Sequence, residues 1–385
     1  MAGQNPSKRV LVLGCGMVGA TMARDLSERN GFAVSVADVS DQSLSRVASF
    51  PNIERLRCDL SDKAELTALL KPFDIVAGAL PSRFGFAALR TVIECGKPVS
   101  DISFMPEEAL DLDQLAKDNG VTAVVDSGVS PGLSNLFVGH AAAKLDQADK
   151  AVIYVGGLPK KRTWPYQYKA PFAPSDVIEE YTRPARLREG GQLVVKPALS
   201  EPELIDFPEV GTLEAFNTDG LRSLLTTVDI PTMHEKTLRY PGHAEVMRVF
   251  RAAGLFRTDE IDVRGTRVRP RDLTSQLMFE DWAFAPDEEE FTLLKVEVTG
   301  TSGGKPARRT YDLYDEYCRK TATQSMARTT AFPNTIMVGM LADGTFREPG
   351  VHPPERFAHR DEVFERMLRE LAERGVAVSC NEAAF

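Results

Sequence analysis

The stretch VLVLGCGMVGATMARDL, residues 10–26, decides the fold. An apolar run ends at Gly14, and Gly14, Gly16 and Gly19 form G-x-G-x-x-G just as a helical pattern begins. Glycines so spaced permit a tight turn, close approach of backbone to a pyrophosphate, and close packing of helix on strand. The first-turn residues Met17 and Val18 add free N–H groups at the positive end of the helix dipole. The reading is a dinucleotide-binding loop, and the alternative is a glycine turn that only packs.

Working outward, RVLVLG, AVSVAD, IERLR, DIVAGAL, KPVSD and VTAVV read as strands, each followed by a segment of helical length. Strand and helix alternating in this way specify crossover units and a parallel sheet covered on both faces. Residues 1–126 are therefore expected to form a doubly wound Rossmann domain of the α/β class. Residues 127–320 read as a second, α+β domain with a mixed or antiparallel sheet. Its clearest feature is EEEFTLLKVEVTGTSGGKPARRTYDLYDEY, residues 288–317, where two alternating runs flank a Gly-rich turn and predict a hairpin. Residues 321–385 are expected to return to the first domain, through a long helix interrupted near Pro333 and a second helix ending at Gly375.

Composition bounds the function. The 385 residues are 43% hydrophobic and 26% charged, with a formal net charge of -9, which suits a globular protein and gives no basic footprint for nucleic acid. The N-terminal stretch carries no signal-peptide pattern, and no window approaches the ~20 apolar residues of a membrane span. Five scattered cysteines without a CxxC suit reduced thiols, and a cytoplasmic location is the expectation. His140, His234, His243, His352 and His359 are isolated and no HExxH occurs, so no metal site is expected; GVHPPERFAHRDE, residues 350–362, reads as a surface stretch. No G-x-S-x-G elbow supports a serine hydrolase.

Asp38 ends the second strand, where a carboxylate accepts from the adenosine ribose and repels a 2′-phosphate, so NAD is the expected cofactor. Asp59 either contacts the adenine or caps the helix starting near Ser61. Leu80 and Pro81 follow the fourth strand and are expected to border the nicotinamide half.

The segments VLVLGCGMVG, VVDSGVSPGLSN, LEAFNTDGLRSLL, KTLRYPGH and MARTTAFP occur in an order that resembles the saccharopine dehydrogenase superfamily, and among its members bacterial lysine 6-dehydrogenase. The resemblance spans residues 8 to about 355. It implies an NAD-dependent oxidoreductase acting at a carbon–nitrogen bond, with a substrate domain whose sheet also forms a homodimer surface. Its implied reaction is oxidative deamination of the ε-amine of L-lysine to a semialdehyde that cyclises. A saccharopine-type or carboxyspermidine-type dehydrogenase acting on a secondary amine is the alternative, and a non-catalytic dinucleotide-binding sensor is a second one. Through the motif NTDGLRSLL, the resemblance adds Thr218, Asp219 and Arg222 as substrate-side candidates, with Arg222 leaving open a further anionic group on the substrate.

Such chemistry needs a proton acceptor, because a lysine ammonium has a pKa of about 10.4. Asp101 ends the fifth strand and Asp126 the sixth, so both carboxylates emerge at one sheet edge; helix capping is the alternative for Asp101. Asn135, one turn into the next helix, is a substrate contact or a packing residue. Arg239, on a strand suited to burial, needs an anion. That anion is a substrate carboxylate, or else an internal partner among Glu235, Glu245 and Asp219. His243, after Pro241-Gly242, is a candidate for proton transfer, or a cap.

Overall fold

The computed structural model describes residues 8–29, 31–285 and 288–384, so residues 1–7 of the N-terminal stretch lie outside the described residues. The chain forms two compact units. One runs to Ala143 and includes Ala327–Ala377; the other holds Lys144–Met326 and the segment from Val378 onward.

In the first unit the strands are β1 (Lys8–Leu13), β2 (Phe32–Asp38), β3 (Ile53–Arg57), β4 (Ile75–Gly78), β5 (Val99–Asp101) and β6 (Thr122–Val124). With the later strand Gly350–His352 they form a seven-stranded sheet in the order Gly350–His352, β6, β5, β4, β1, β2, β3. Every pairing is parallel. The continuous apolar runs follow from burial on both faces. Val10 and Val12 of β1 pack with Val34 and Val36 against Met22 and Leu26 of helix α1 (Met17–Ser27). Leu11 and Leu13 point the other way, into a core with Leu66, Leu70, Leu89 and Val92.

The chain returns to this unit as expected, but its boundaries differ from 126 and 320. The helix Leu133–Lys144 lies with the first unit up to Ala143, and Val378–Ala384 leaves it again to pair with Lys305–Glu316. The helix Ser325–Asp343 is not interrupted at Pro333 but passes through it. Proline there removes one helical hydrogen bond, yet the fully buried Ala331, Ile336, Met337 and Val338 on either side hold the helix in the core. This returning segment is bolted to α1: Asp25 accepts from the Thr335 hydroxyl, and from Arg374 Nε at 3.0 Å.

The second unit is built on a nine-stranded mixed sheet. Its centre is β7 (Gln147–Pro159), parallel to Thr232–Arg239 on one side and antiparallel to Glu290–Ser302 on the other. The expected hairpin is present, with Ser302 opposite Lys305 around Gly303 and Gly304, whose φ angles of 57° and 71° suit glycine. Among the described residues no helix is long and apolar enough to cross a membrane.

Candidate active site

The carboxyl ends of the parallel strands gather the first group of candidates. Gly14 has φ +93°, and a Cβ there would lie 2.6 Å from the carbonyl oxygen of Ala79; one at Gly19 would lie 2.0 Å from that of Gly14. Both are explained by packing. Gly16 is different: a Cβ there would meet nothing within 4 Å, and its φ of -68° is open to any residue. No conformational or internal steric demand accounts for glycine at 16, which caps α1 without a side-chain hydrogen bond and leaves the first-turn N–H groups of Met17 and Val18 facing an open cradle. Asp38 borders it, with Oδ2 accepting from Cys15 N and Oδ1 from Ser40 N, each at 2.8 Å. Both oxygens keep lone pairs for further donors. The residues present therefore fit a dinucleotide.

Leu80 is half-buried against the core beside β4, and Pro81 precedes the helix Ser82–Glu94 as its cap residue. Asp59 does not cap the next helix. Asp62 does, accepting from Ala64 N and Glu65 N, while Asp59 closes the preceding turn on Ser61 N at 2.9 Å. Its exposed carboxyl is held below the ordinary range chiefly by the Ser61 hydroxyl.

Asp101 and Asp126 are both buried at the same edge. Asp101 caps no helix; Oδ1 accepts from Ser103 N at 2.7 Å, and the next helical turn starts only at Ala109. Burial raises its pKa to about 6, hydrogen bonds from Ser103 oppose the rise, and the Asp126 charge adds to it. Its carboxylate lies on the α-carbon of Gly78, where a Cβ would sit 1.7 Å from Oδ2. Nothing in DIVAGAL announced that role for Gly78. Asp126 adopts φ 50° where the chain turns into the loop Ser127–Gly132. Asn135 is a tie within the protein: Oδ1 accepts from Gly132 N and the Ser134 hydroxyl, and Nδ2 donates to Glu355.

The remaining candidates form a buried polar layer in the second unit. The Thr218 hydroxyl donates to Glu235 and lies 2.9 Å from that of Thr237. Asp219 takes both Nε and Nη2 of Arg186, at 2.9 and 3.1 Å. Arg222 is buried with φ 52°. Arg239, 2% exposed, pairs with Glu180 at 2.6 Å, not with Glu235, Glu245 or Asp219. Its Nε donates to the Tyr181 hydroxyl at 3.1 Å, its Nη1 to Leu238 O at 2.8 Å, and its guanidinium lies 4.3 Å from the Tyr168 ring centre. All three guanidinium nitrogens are thus engaged inside this unit.

His243 continues the chain of bonds. Nδ1 lies 2.8 Å from the Tyr166 carbonyl, which can only accept, so Nδ1 carries the proton and Nε2 accepts from the Tyr181 hydroxyl at 2.9 Å. Burial first, and the Arg239 charge second, lower its pKa to about 3. A neutral imidazole with both nitrogens bonded is a strut, which corrects its expected place in proton transfer. The sequence gave no signal for Glu180 and Tyr181 as partners in this layer. Glu189, Glu201 and His234 also lie close enough to share a metal, but the Lys196 ammonium already bridges both carboxylates at 2.5 and 2.6 Å.

Comparison with known proteins follows this division. Residues 10–124 match the family model "Saccharopine dehydrogenase NADP binding domain", and residues 128–376 match "Saccharopine dehydrogenase C-terminal domain". The chain is 22% identical to carboxyaminopropylagmatine dehydrogenase of Synechocystis sp., over 89% of this chain and 91% of that protein. It is 25% identical to the NADP(+), L-glutamate-forming saccharopine dehydrogenase of Pyricularia oryzae, over 66% of this chain and 59% of that one. It is also 25% identical to alpha-aminoadipic semialdehyde synthase of Arabidopsis thaliana, over 64% of this chain but only 24% of that protein. The apo saccharopine dehydrogenase structure from Saccharomyces cerevisiae shares the fold, with a TM-score of 0.81 and 18% identity over 98% of this chain and all of that one.

Two predictions follow from this geometry. Gly19→Ala should destabilise the fold by about 3 kcal/mol, because backbone rather than a movable side chain blocks the methyl group. Gly16→Val should fold normally but bind dinucleotide at least about tenfold more weakly, measured by fluorescence titration. Normal affinity in that variant would leave the open cradle without a function. For His243, a folded-state pKa of about 3 against 6.5 means that the unfolded chain binds the extra proton. Its stability contribution is complete above pH 6.5 and falls with pH toward 3. The advantage of wild type over His243→Phe in urea unfolding should therefore shrink, by on the order of 2 kcal/mol, between pH 7 and pH 5. An advantage constant with pH would mean that the ring is charged when folded.

Proposed function

The chain belongs to the saccharopine dehydrogenase family, and from that premise we propose that it is a dehydrogenase that uses NAD to oxidise the ε-carbon of L-lysine, releasing a semialdehyde that cyclises. The observation that carries the reading is the presence of open Gly16 and the buried carboxylate of Asp101 on one carboxyl edge, with β4 alone between their strands. That separation is two strand spacings, roughly 10 Å, which suits a dinucleotide reaching from one to the other. NAD when bound supplies the hydride acceptor.

The protein's own residues do the rest. The Gly16 cradle and the N–H groups of α1 hold the pyrophosphate, and Asp38 accepts from the ribose hydroxyls. Asp101 takes the proton that the substrate ammonium must lose before its lone pair can expel hydride. An ordinary Asp near 3.8 is a poor base for an ammonium near 10.4, and the rise to about 6 narrows that gap by about 3 kcal/mol. At neutral pH the group is still ionised, so it can both attract the cation and accept its proton. Asp126 adds a second carboxylate that favours the same cation.

A second reading is supported by the nearly full-length likeness to the Synechocystis dehydrogenase. The substrate nitrogen would then be secondary and join two fragments, as in saccharopine. One panel separates the readings: purified protein with NAD or NADP and each of lysine, ornithine, saccharopine and cadaverine, following reduced nicotinamide by absorbance. Turnover of lysine with NAD is the expected result. Turnover of saccharopine instead would move the assignment to a secondary amine, no turnover at all would favour the sensor, and equal or better use of NADP would remove Asp38 from the ribose.

Asp101→Asn keeps the shape and removes the base. Its kcat/KM should fall by on the order of 10² to 10⁴ while dinucleotide affinity is retained. In wild type kcat/KM should rise with pH through about 6 as Asp101 ionises, and the variant should lack that limb. Near-normal turnover in the variant would make Asp101 a structural turn residue.

A further inference from the structure

GVHPPERFAHRDE, which reads as a surface stretch, forms much of a wall. Outside the strand Gly350–His352, at the edge of the parallel sheet, lies a cavity of about 390 Å³. Four strand spacings, roughly 19 Å, separate that strand from β1 and its glycine loop. The volume falls in the range of small-molecule sites, about 300 to 1,000 Å³.

The charges lining it do not cancel. Lys117 pairs with Asp113 at 2.7 Å, and Arg360 pairs with Glu348, so each lining acid is matched by one lining cation. Arg356 is the excess. Its Nη1 donates to Val351 O at 3.2 Å, and among the described residues no carboxylate lies within ion-pair distance of it. It is exposed, so it reaches an incoming ligand without a large desolvation cost. His359, also exposed, adds an imidazole beside it.

The opposite side is aromatic. Phe346 and Phe357 lie with ring centres 4.8 Å apart, and His352 meets the Phe346 ring edge-on at 5.3 Å. At the floor stands Gly350, with φ +132°, where a Cβ would lie 2.8 Å from Asp113 Oδ1 and 3.3 Å from His352 Nε2. A side chain at 350 would push into the groups that line the cavity.

We propose that this cavity is a binding site for a small aromatic anion, a planar ring bearing a carboxylate or a phosphate, with Arg356 gripping the anionic group and Phe346 and Phe357 receiving the ring. A guanidinium offers five donors in a fork that matches either oxyanion, and the phenyl rings offer a flat apolar partner. The inference does not depend on the amine chemistry assigned to the other end of the sheet.

The test is isothermal titration of the full chain with phenyl phosphate, benzoate and inorganic phosphate, with saturating NAD present so that the glycine loop takes no part. Phenyl phosphate and benzoate should bind one per chain with dissociation constants at or below about 1 mM, and inorganic phosphate more weakly. Arg356→Ala should weaken both aromatic probes at least about tenfold, since a charge-assisted contact is lost. Arg356→Lys should restore part of that loss. Because Arg356 is exposed, the variants should keep the wild-type thermal midpoint without ligand. The proposal is overturned if neither aromatic probe saturates near 1 mM, if Arg356→Ala leaves their affinity unchanged, or if inorganic phosphate binds as tightly as phenyl phosphate.

Discussion

The approach of α1 to β1 is the constraint on which the first unit depends. A single methyl group at residue 19 would overlap the carbonyl of Gly14, so helix and strand meet at a distance that only glycine allows. That approach fixes the turn between them, and the turn aims the N–H groups of the first helical turn away from the core. Asp38 then ties the turn to the end of β2 by accepting from Cys15 N. The carboxylate proposed to meet the ribose therefore also braces the loop proposed to hold the pyrophosphate, so a change at 38 alters loop geometry as well as cofactor preference. The same kind of contact recurs two strands away, where Asp101 rests on Gly78. In each place a missing side chain lets a polar group sit where close-packed sheet would otherwise exclude it.

Much of this fold is legible in the sequence because buried parallel strands must be apolar on both faces. Val10 and Val12 serve one core and Leu11 and Leu13 the other, so β1 reads as a continuous run with no alternation. The long hairpin is equally legible from its two glycines. What does not show is pairing carried by backbone alone. The strand Val378–Ala384 has mostly exposed side chains, so no apolar pattern marks it, and its place comes from hydrogen bonds to Lys305–Glu316. Pro333 misleads for the reverse reason. A local signal to stop a helix is overridden by burial on both sides of it.

Site residues divide along the same line. Asp38, Asp101 and Asp126 are legible because a parallel sheet delivers every strand end to one edge, whatever the partners are. Arg239 and His243 are legible only as polar residues that need partners, since the partners come from far along the chain. Glu180 and Tyr181 lie 59 and 58 positions from Arg239, and the Tyr166 carbonyl lies 77 from His243. No spacing rule reaches that far. An arginine bound to an internal glutamate and an arginine awaiting a substrate carboxylate look the same in sequence, and three-dimensional packing alone tells them apart.

Two buried acids show how surroundings divide one chemistry into two roles. Burial raises Glu235 to about 8, with Glu180 and Asp219 adding to the rise against the hydrogen bond from Thr218, so it is largely protonated at neutral pH. Burial raises Asp101 only to about 6, because Ser103 N–H and hydroxyl groups favour the charged form. A protonated glutamic acid donates and holds a polar layer together, but it cannot accept a proton. An ionised aspartate of raised basicity can. The gap between the two, about 3 kcal/mol in the cost of carrying charge, follows from the donors and charges each acid meets, and it favours the sheet edge over the second unit's polar layer as the place for proton transfer.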